Sequence, residues 1–193
     1  MDYSNYYVEV AIGDVSARNT VVPFNELYEV VRKNIGKEIY RSMFLYTEDI
    51  ASYIAENGSI KNYEGVQALD KIVFDIDKGS DEGDEVKDKT FQLYRKLTEL
   101  GARKESVNIW FSGRGFHVVI PNLYGFKPSI HLAREVKSTI VRDFKDTVDL
   151  IYDPKRLIRL PFSLNKKTNL YKNYLTHEQF LKMNYNDIVE YCK

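Results

Sequence analysis

Two aspartates, Asp75 and Asp77, close the apolar run KIVFDID at Lys71–Asp77. Two apart on a strand, both carboxylates leave the same face. Carboxylates held that close repel one another unless a proton or a cation lies between them. Mg²⁺ answers the need economically, because it takes oxygen ligands and keeps waters and phosphates as well. Asp149, near the start of the apolar run Val148–Tyr152, supplies a third carboxylate if that run pairs beside the first. Three carboxylates suffice to bridge two ions for in-line displacement at phosphorus. An Asp-x-Asp pair taken alone reads also as a solvated strand end leading into an acidic loop.

Two further segments carry donors. In Ser112-Gly113-Arg114-Gly115-Phe116-His117 the glycines allow close backbone approach, while Ser, Arg and His suit phosphate oxygens. The plain alternative is a hairpin with an exposed Arg and a half-buried His. The run RLIRLPFSLNKKTNL (156–170) lies in a stretch, 155–172, with six basic residues and no acidic one. Arginines such as Arg156 and Arg159 inside an apolar strand are costly to desolvate unless anions meet them, though long side chains also snorkel to water. There is no Gly-x-Ser-x-Gly elbow and no Gly-x-x-x-x-Gly-Lys-Ser/Thr loop, which argues against a serine hydrolase and a P-loop motor.

The elements that must position these groups follow from periodicity. Tyr6–Ile12 and Glu38–Tyr46 read as strands. Between them Phe24, Leu27, Tyr28 and Val31 recur at helical spacing, and Thr47 caps a short helix through about Ala55 closed by Gly58. Lys71–Asp77 is a strand and Lys78–Glu85 a loop. Val86, Thr90, Leu93, Leu97 and Leu100 form a helical stripe stopped by Gly101. Val107–Phe111 and Phe116–Pro121 flank the turn Gly113–Gly115 as a hairpin. Ala133, Val136, Ile140 and Phe144 form a second stripe, followed by strands at Val148–Tyr152 and Arg156–Leu160 and a helix with a Thr176…Gln179 capping box. The expected class is α+β: a split βαβ, RNA-recognition-like sheet at 69–193, with an N-terminal α/β subdomain at 1–68 packed against it. In that plan the end of the first strand lies beside the starts of the third and fourth, so Asp75, Asp77, His117 and Asp149 converge at one rim.

Composition fits this reading. The 193 residues carry 28 basic and 28 acidic side chains, but residues 1–100 hold 12 basic and 19 acidic while 101–193 hold 16 and 9. Such a split suits an acidic metal site beside a basic anion surface. A single cysteine, Cys192, excludes an internal disulfide and a cysteine-based zinc site. No run approaches the ~20 apolar residues of a membrane span, and the N-terminus lacks a signal-peptide layout. The expectation is a cytoplasmic protein without a membrane partner.

In this order, FDID, SGRGFH and the VD of Asp149, followed by RLIRLPFSLNKKT, resemble the motifs of the archaeo-eukaryotic primase (primase–polymerase) superfamily over roughly residues 70–170. The resemblance implies a DNA primase/polymerase that moves nucleotidyl groups from (d)NTPs to a 3′-hydroxyl on a single-stranded DNA template. It implies Mg²⁺ or Mn²⁺ on Asp75, Asp77 and Asp149, and nucleotide contacts from Ser112, Arg114, Gly115, His117, Arg159 and Lys167. Arg41, in YRSMF, resembles an upstream nucleotide-contacting arginine. Asp153 competes with Asp149 as third ligand; strand geometry favours Asp149. Asn165 stands where relatives commonly have His, and no Cys-rich zinc module is present. The expectation includes a helicase or primer-binding domain, fused or in trans, with this chain a piece of a larger replication protein. Two other readings compete: a metal-dependent nuclease built on the same acids, and a non-catalytic module stacking single-stranded bases on Trp110, Phe111, Phe116 and Tyr152.

Overall fold

The computed structural model describes residues 2–145, 147–149 and 151–193. In chain order its strands are β1 (Tyr7–Ile12), β2 (Thr20–Pro23), β3 (Ile39–Ser42), β4 (Leu45–Tyr46), β5 (Gln67–Ala68) and β6 (Lys71–Ile76). They continue as β7 (Asn108–Phe111), β8 (Phe116–Pro121), β9 (Leu157–Arg159), β10 (Leu164–Asn165), β11 (Leu170–Tyr171) and β12 (Asn173–Leu175). The α-helices are α1 (Leu27–Lys33), α2 (Asp49–Asn57), α3 (Gly83–Glu99), α4 (Leu132–Phe144), α5 (His177–Lys182) and α6 (Tyr185–Tyr191). The arrangement is mixed α+β with antiparallel strand pairing throughout. No helix among the described residues is long and apolar enough to cross a membrane.

One sheet runs β5-β4-β1-β3-β9, with β2 paired to β1; a second runs β12-β7-β8-β6; β10 and β11 form a small hairpin between them in sequence. Alternation sorts the second sheet into two faces. Ile72, Phe74 and Ile76 of β6 enter the main core, where the Phe74 ring meets Phe144 of α4 edge to face at 5.0 Å. Ile109 and Phe111 of β7 and Phe116 and Val118 of β8 join them, and α3 covers this side with Val86, Thr90, Leu93 and Leu97. Lys71, Val73, Asn108, Trp110 and Val119 point the other way, across a cavity from Ile158 and Arg159 of β9.

Several elements differ from the sequence reading for local reasons. The expected strand Glu38–Tyr46 breaks into β3 and β4, because the Ser42 hydroxyl donates to the Phe44 carbonyl at 2.7 Å and turns the chain. The helix after Thr47 begins at Asp49, with the Thr47 hydroxyl bonded to the Asp49 carboxylate rather than capping the backbone. The acidic stretch Lys78–Glu85 is loop only to Glu82: the Glu85 carboxylate accepts the Glu82 N–H at 3.1 Å and starts α3 early. Val148–Tyr152 forms no strand among its described residues, and Leu150 lies outside them. Asp149 makes one bridge to Asp75, and the Tyr152 hydroxyl donates to the Val73 carbonyl at 2.5 Å, occupying an acceptor that a ladder would use. The strand expected at Arg156–Leu160 exists as β9, but it extends the N-terminal sheet beside β3. Sheet membership therefore crosses the boundary expected at 68/69, and one core cluster contains Met43 and Ile50 as well as Phe74 and Phe180.

Candidate functional site

The second sheet carries a transverse row of side chains at one register. Asp149 bridges Asp75, with its N–H on the Asp75 carbonyl at 2.9 Å. Asp75 stands opposite His117, His117 opposite Trp110, and Trp110 opposite Tyr174. The register follows from the hairpin at 112–115, and two glycines make that turn feasible. Gly113 has φ of +99°, a region L side chains avoid. A Cβ on Gly115 would sit 2.1 Å from the Ile76 carbonyl oxygen, so only glycine lets the turn press against the end of β6. The Ser112 N–H closes the turn on the Gly115 carbonyl at 2.9 Å.

At the rim, Asp77 is exposed and ion-paired with Arg114, whose Nε lies 2.9 Å from Oδ1 and whose Nη2 bonds Oδ2. Asp75 is deeper, and its Oδ1 lies 3.3 Å from His117 Nε2. Burial works to raise the Asp75 carboxyl, but His117, Arg156 and Lys172 outweigh it and hold the group below the usual carboxylate range. Asp149 goes the other way: burial and the negative charges of Asp75 and Asp77 push its carboxyl up. Three carboxyls thus share one electrostatic neighbourhood, the field a cation relieves. Asp153 makes no comparable approach; its carboxylate accepts the Lys155 N–H at 2.9 Å. Among the described residues no group of three or more His, Cys, Asp and Glu is arranged as a formed metal-holding cluster. Asp75 turns to His117 and Asp77 to Arg114.

Behind the rim the row becomes a buried cationic cluster. Lys172 Nζ lies 2.8 Å from His117 Nδ1 and donates to the Arg159 carbonyl at 2.7 Å. Burial, with the neighbouring cations, pushes the Lys172 ammonium well below its ordinary value, and burial followed by Lys172 lowers His117. A Lys172 donor to Nδ1 leaves the imidazole proton on Nε2, the nitrogen facing Asp75. Arg159 stacks over the Tyr40 ring at 5.2 Å, donates to the Tyr40 hydroxyl at 2.8 Å and approaches Glu38 at 3.6 Å. Its Nη1 is buried without a partner. Lys71, Asn108, Trp110, Arg159, Pro161 and Lys172 line a cavity of about 250 Å³ between the sheets.

Other expected residues lie around this centre. Ser112 is half-buried at the hairpin, and its carbonyl accepts from Asn165 Nδ2 at 3.4 Å. Lys167 is exposed on the turn after β10, its N–H on Asn165 Oδ1 at 3.1 Å, so that turn packs against Gly113. Arg41 is fully buried on β3; one Nη2 meets Asp70 at 2.6 Å, and its Nε and Nη1 have no partner. Its partner Asp70 precedes β6, at the end of that strand opposite Asp75 and Asp77. Of the aromatics expected to stack bases, Phe111, Phe116 and Tyr152 are buried in the core, which removes them from that role; Trp110 alone is half-buried. Lys71 and Lys172 escaped sequence reasoning as site residues. The only signal for Lys172 was its place at the end of the acid-free run 155–172.

No family model matches this chain, and no curated protein matches it.

Proposed function

We propose that the chain is a metal-dependent nucleotidyltransferase of the primase–polymerase type, acting on (d)NTPs and a single-stranded DNA template. The observation that carries the reading is the meeting of Asp75, Asp77 and Asp149 at one sheet rim, beside the SGRG turn and in front of a cationic cavity. The strand order, with Asp149 bridged to β6 and β6 beside β8, supports a split βαβ plan whose fourth strand is reduced to a single bridge.

Asp75, Asp77 and Asp149 are the residues that would hold Mg²⁺ or Mn²⁺; Asp77 would have to exchange its exposed partner Arg114 to take part. A bound ion supplies Lewis acidity, lowering the pKa of an attacking hydroxyl and stabilising the pyrophosphate that leaves. The chain's own contributions are positional. Ser112, Arg114, Arg159 and Lys167 meet phosphate oxygens, and the Nε2–H of His117 faces the same rim. The terminal 3′-oxygen bonds to the α-phosphorus, the bond from that phosphorus to the pyrophosphate oxygen breaks, and the hydroxyl proton passes to water. Arg159 favours the negative charge that gathers on the leaving phosphates.

The test is synthesis on a single-stranded template with Mg²⁺ or Mn²⁺, with and without primer, comparing ATP plus dNTPs with dNTPs alone. The double variant Asp75→Ala/Asp77→Ala is expected to lose incorporation while circular dichroism stays native. Full incorporation by that variant defeats the proposal. Strand shortening without added triphosphates assigns the acids to a nuclease instead.

A further inference from the structure

Phe162 combines two costs that its edge-on contact with Trp110 offsets only in part. Its backbone holds φ of +61°, where bulky residues are rare, and its side chain is 55% exposed. The conformation is fixed from both sides. The Phe162 N–H donates to the Lys172 carbonyl at 2.8 Å, and the next hydroxyl, Ser163 Oγ, donates to the Leu160 carbonyl at 2.7 Å. An apolar ring held out in water on a strained backbone is the kind of outlier that marks a ligand clamp.

The surroundings say what it would clamp. Phe162 meets Trp110 edge to face at 5.9 Å, and Trp110 meets Tyr174 at 5.3 Å. Trp110 also lines the cavity that holds Lys71, Arg159 and Lys172. Rings beside buried cations suit a ligand with flat π-faces and anionic links. We infer that Phe162 and Trp110 form a stacking platform for the unpaired bases of a single DNA strand, whose phosphates are met by Lys71. A strand fits better than a lone nucleotide because of distance. With neighbouring strands ~4.8 Å apart, Trp110 lies about 10 Å and Tyr174 about 14 Å from Asp75 across the sheet. The aromatic row from Trp110 to Tyr174 spans about 10 to about 14 Å from the acids and ends on the edge strand β12, room for successive bases of one strand.

This inference rests on the polymerase reading only for the identity of the strand as template, and its test uses no catalysis. Trp110 is the single tryptophan of the protein, so its emission reports on the platform directly. The full chain is titrated with oligothymidylate in EDTA without triphosphates, then with an abasic oligodeoxynucleotide of equal length, then with dTTP. Saturable quenching by oligothymidylate is expected, with much weaker binding of the abasic strand and of dTTP. Phe162→Ala is expected to weaken oligothymidylate binding roughly 5- to 150-fold, the range for one lost base stack, and Phe162→Tyr to retain it. Phe162→Gly separates structure from binding, since it removes the ring while relieving the backbone: a raised unfolding temperature with the same loss of binding is expected. Equal quenching by the abasic strand, equal quenching by dTTP, or unchanged affinity in Phe162→Ala overturns the platform. Quenching as described in a protein that incorporates no nucleotide sinks the polymerase reading and leaves the platform standing.

Discussion

The two ends of the charged row hold their ions by different means. At the rim, Asp77 and Arg114 pair in solvent, where such a contact contributes little and exchanges readily. In the interior, Lys172 Nζ is bonded to His117 Nδ1 at 2.8 Å and to the Arg159 backbone carbonyl at 2.7 Å. A site that must accept and release charged partners keeps its changeable contacts where water can replace them. It keeps its orienting contacts where water cannot. Under the proposed function, the contrast would give the acids and Arg114 to exchange, and His117 with Lys172 to alignment.

Breaking the buried end should give the largest effect on stability. Lys172→Met leaves His117 Nδ1 and the Arg159 carbonyl without their donor, at a cost of about 2 kcal/mol. Urea unfolding measures this, and ¹⁵N chemical shifts of His117 should show loss of the single Nε2–H tautomer. Unchanged stability and an unchanged tautomer would mean that Lys172 aligns nothing.

A pH dependence comes next. His117 is lowered from its ordinary 6.5 chiefly by burial, so the unfolded chain binds the extra proton first. Stability is then fully present above about pH 6.5 and declines as pH falls below it. Thermal unfolding from about pH 8 to about pH 5 should show this slope, and His117→Gln should flatten it. An equal slope in the variant assigns the effect elsewhere.

The rim should respond least. Arg114→Ala is expected to change stability by no more than about 0.5 kcal/mol, while weakening nucleotide affinity in the synthesis assay. A large loss of stability would show that the rim is as rigid as the interior and erase the distinction.

Much of this was legible in the chain before any coordinates. Ile72, Phe74 and Ile76 alternate with Lys71, Val73 and Asp75, which is enough to read a strand with an acidic end and a defined face. Glycines at 113 and 115 marked the hairpin, and the stripe of α3 carried its own stop at Gly101. What escaped depended on contacts remote in sequence. Val148–Tyr152 has the composition of a strand, but a hydroxyl 79 residues from its acceptor takes the bond a ladder needs. The four residues of β2 end in proline and are too few to show alternation. Lys172 looks like any surface lysine until His117, 55 positions earlier, is placed against it.

The route of the backbone has one more consequence. Between β8 and β12 the polypeptide leaves the second sheet, lends β9 to the first, and returns. The two layers are stitched rather than stacked, and a cut near residue 68 would strip β3 of a neighbour while orphaning β9. Evolution or engineering cannot trade one layer for another as a cassette. Whatever widens the gap between them must do so by bending the seam at residues 153–163, which holds Arg156, Arg159 and Phe162.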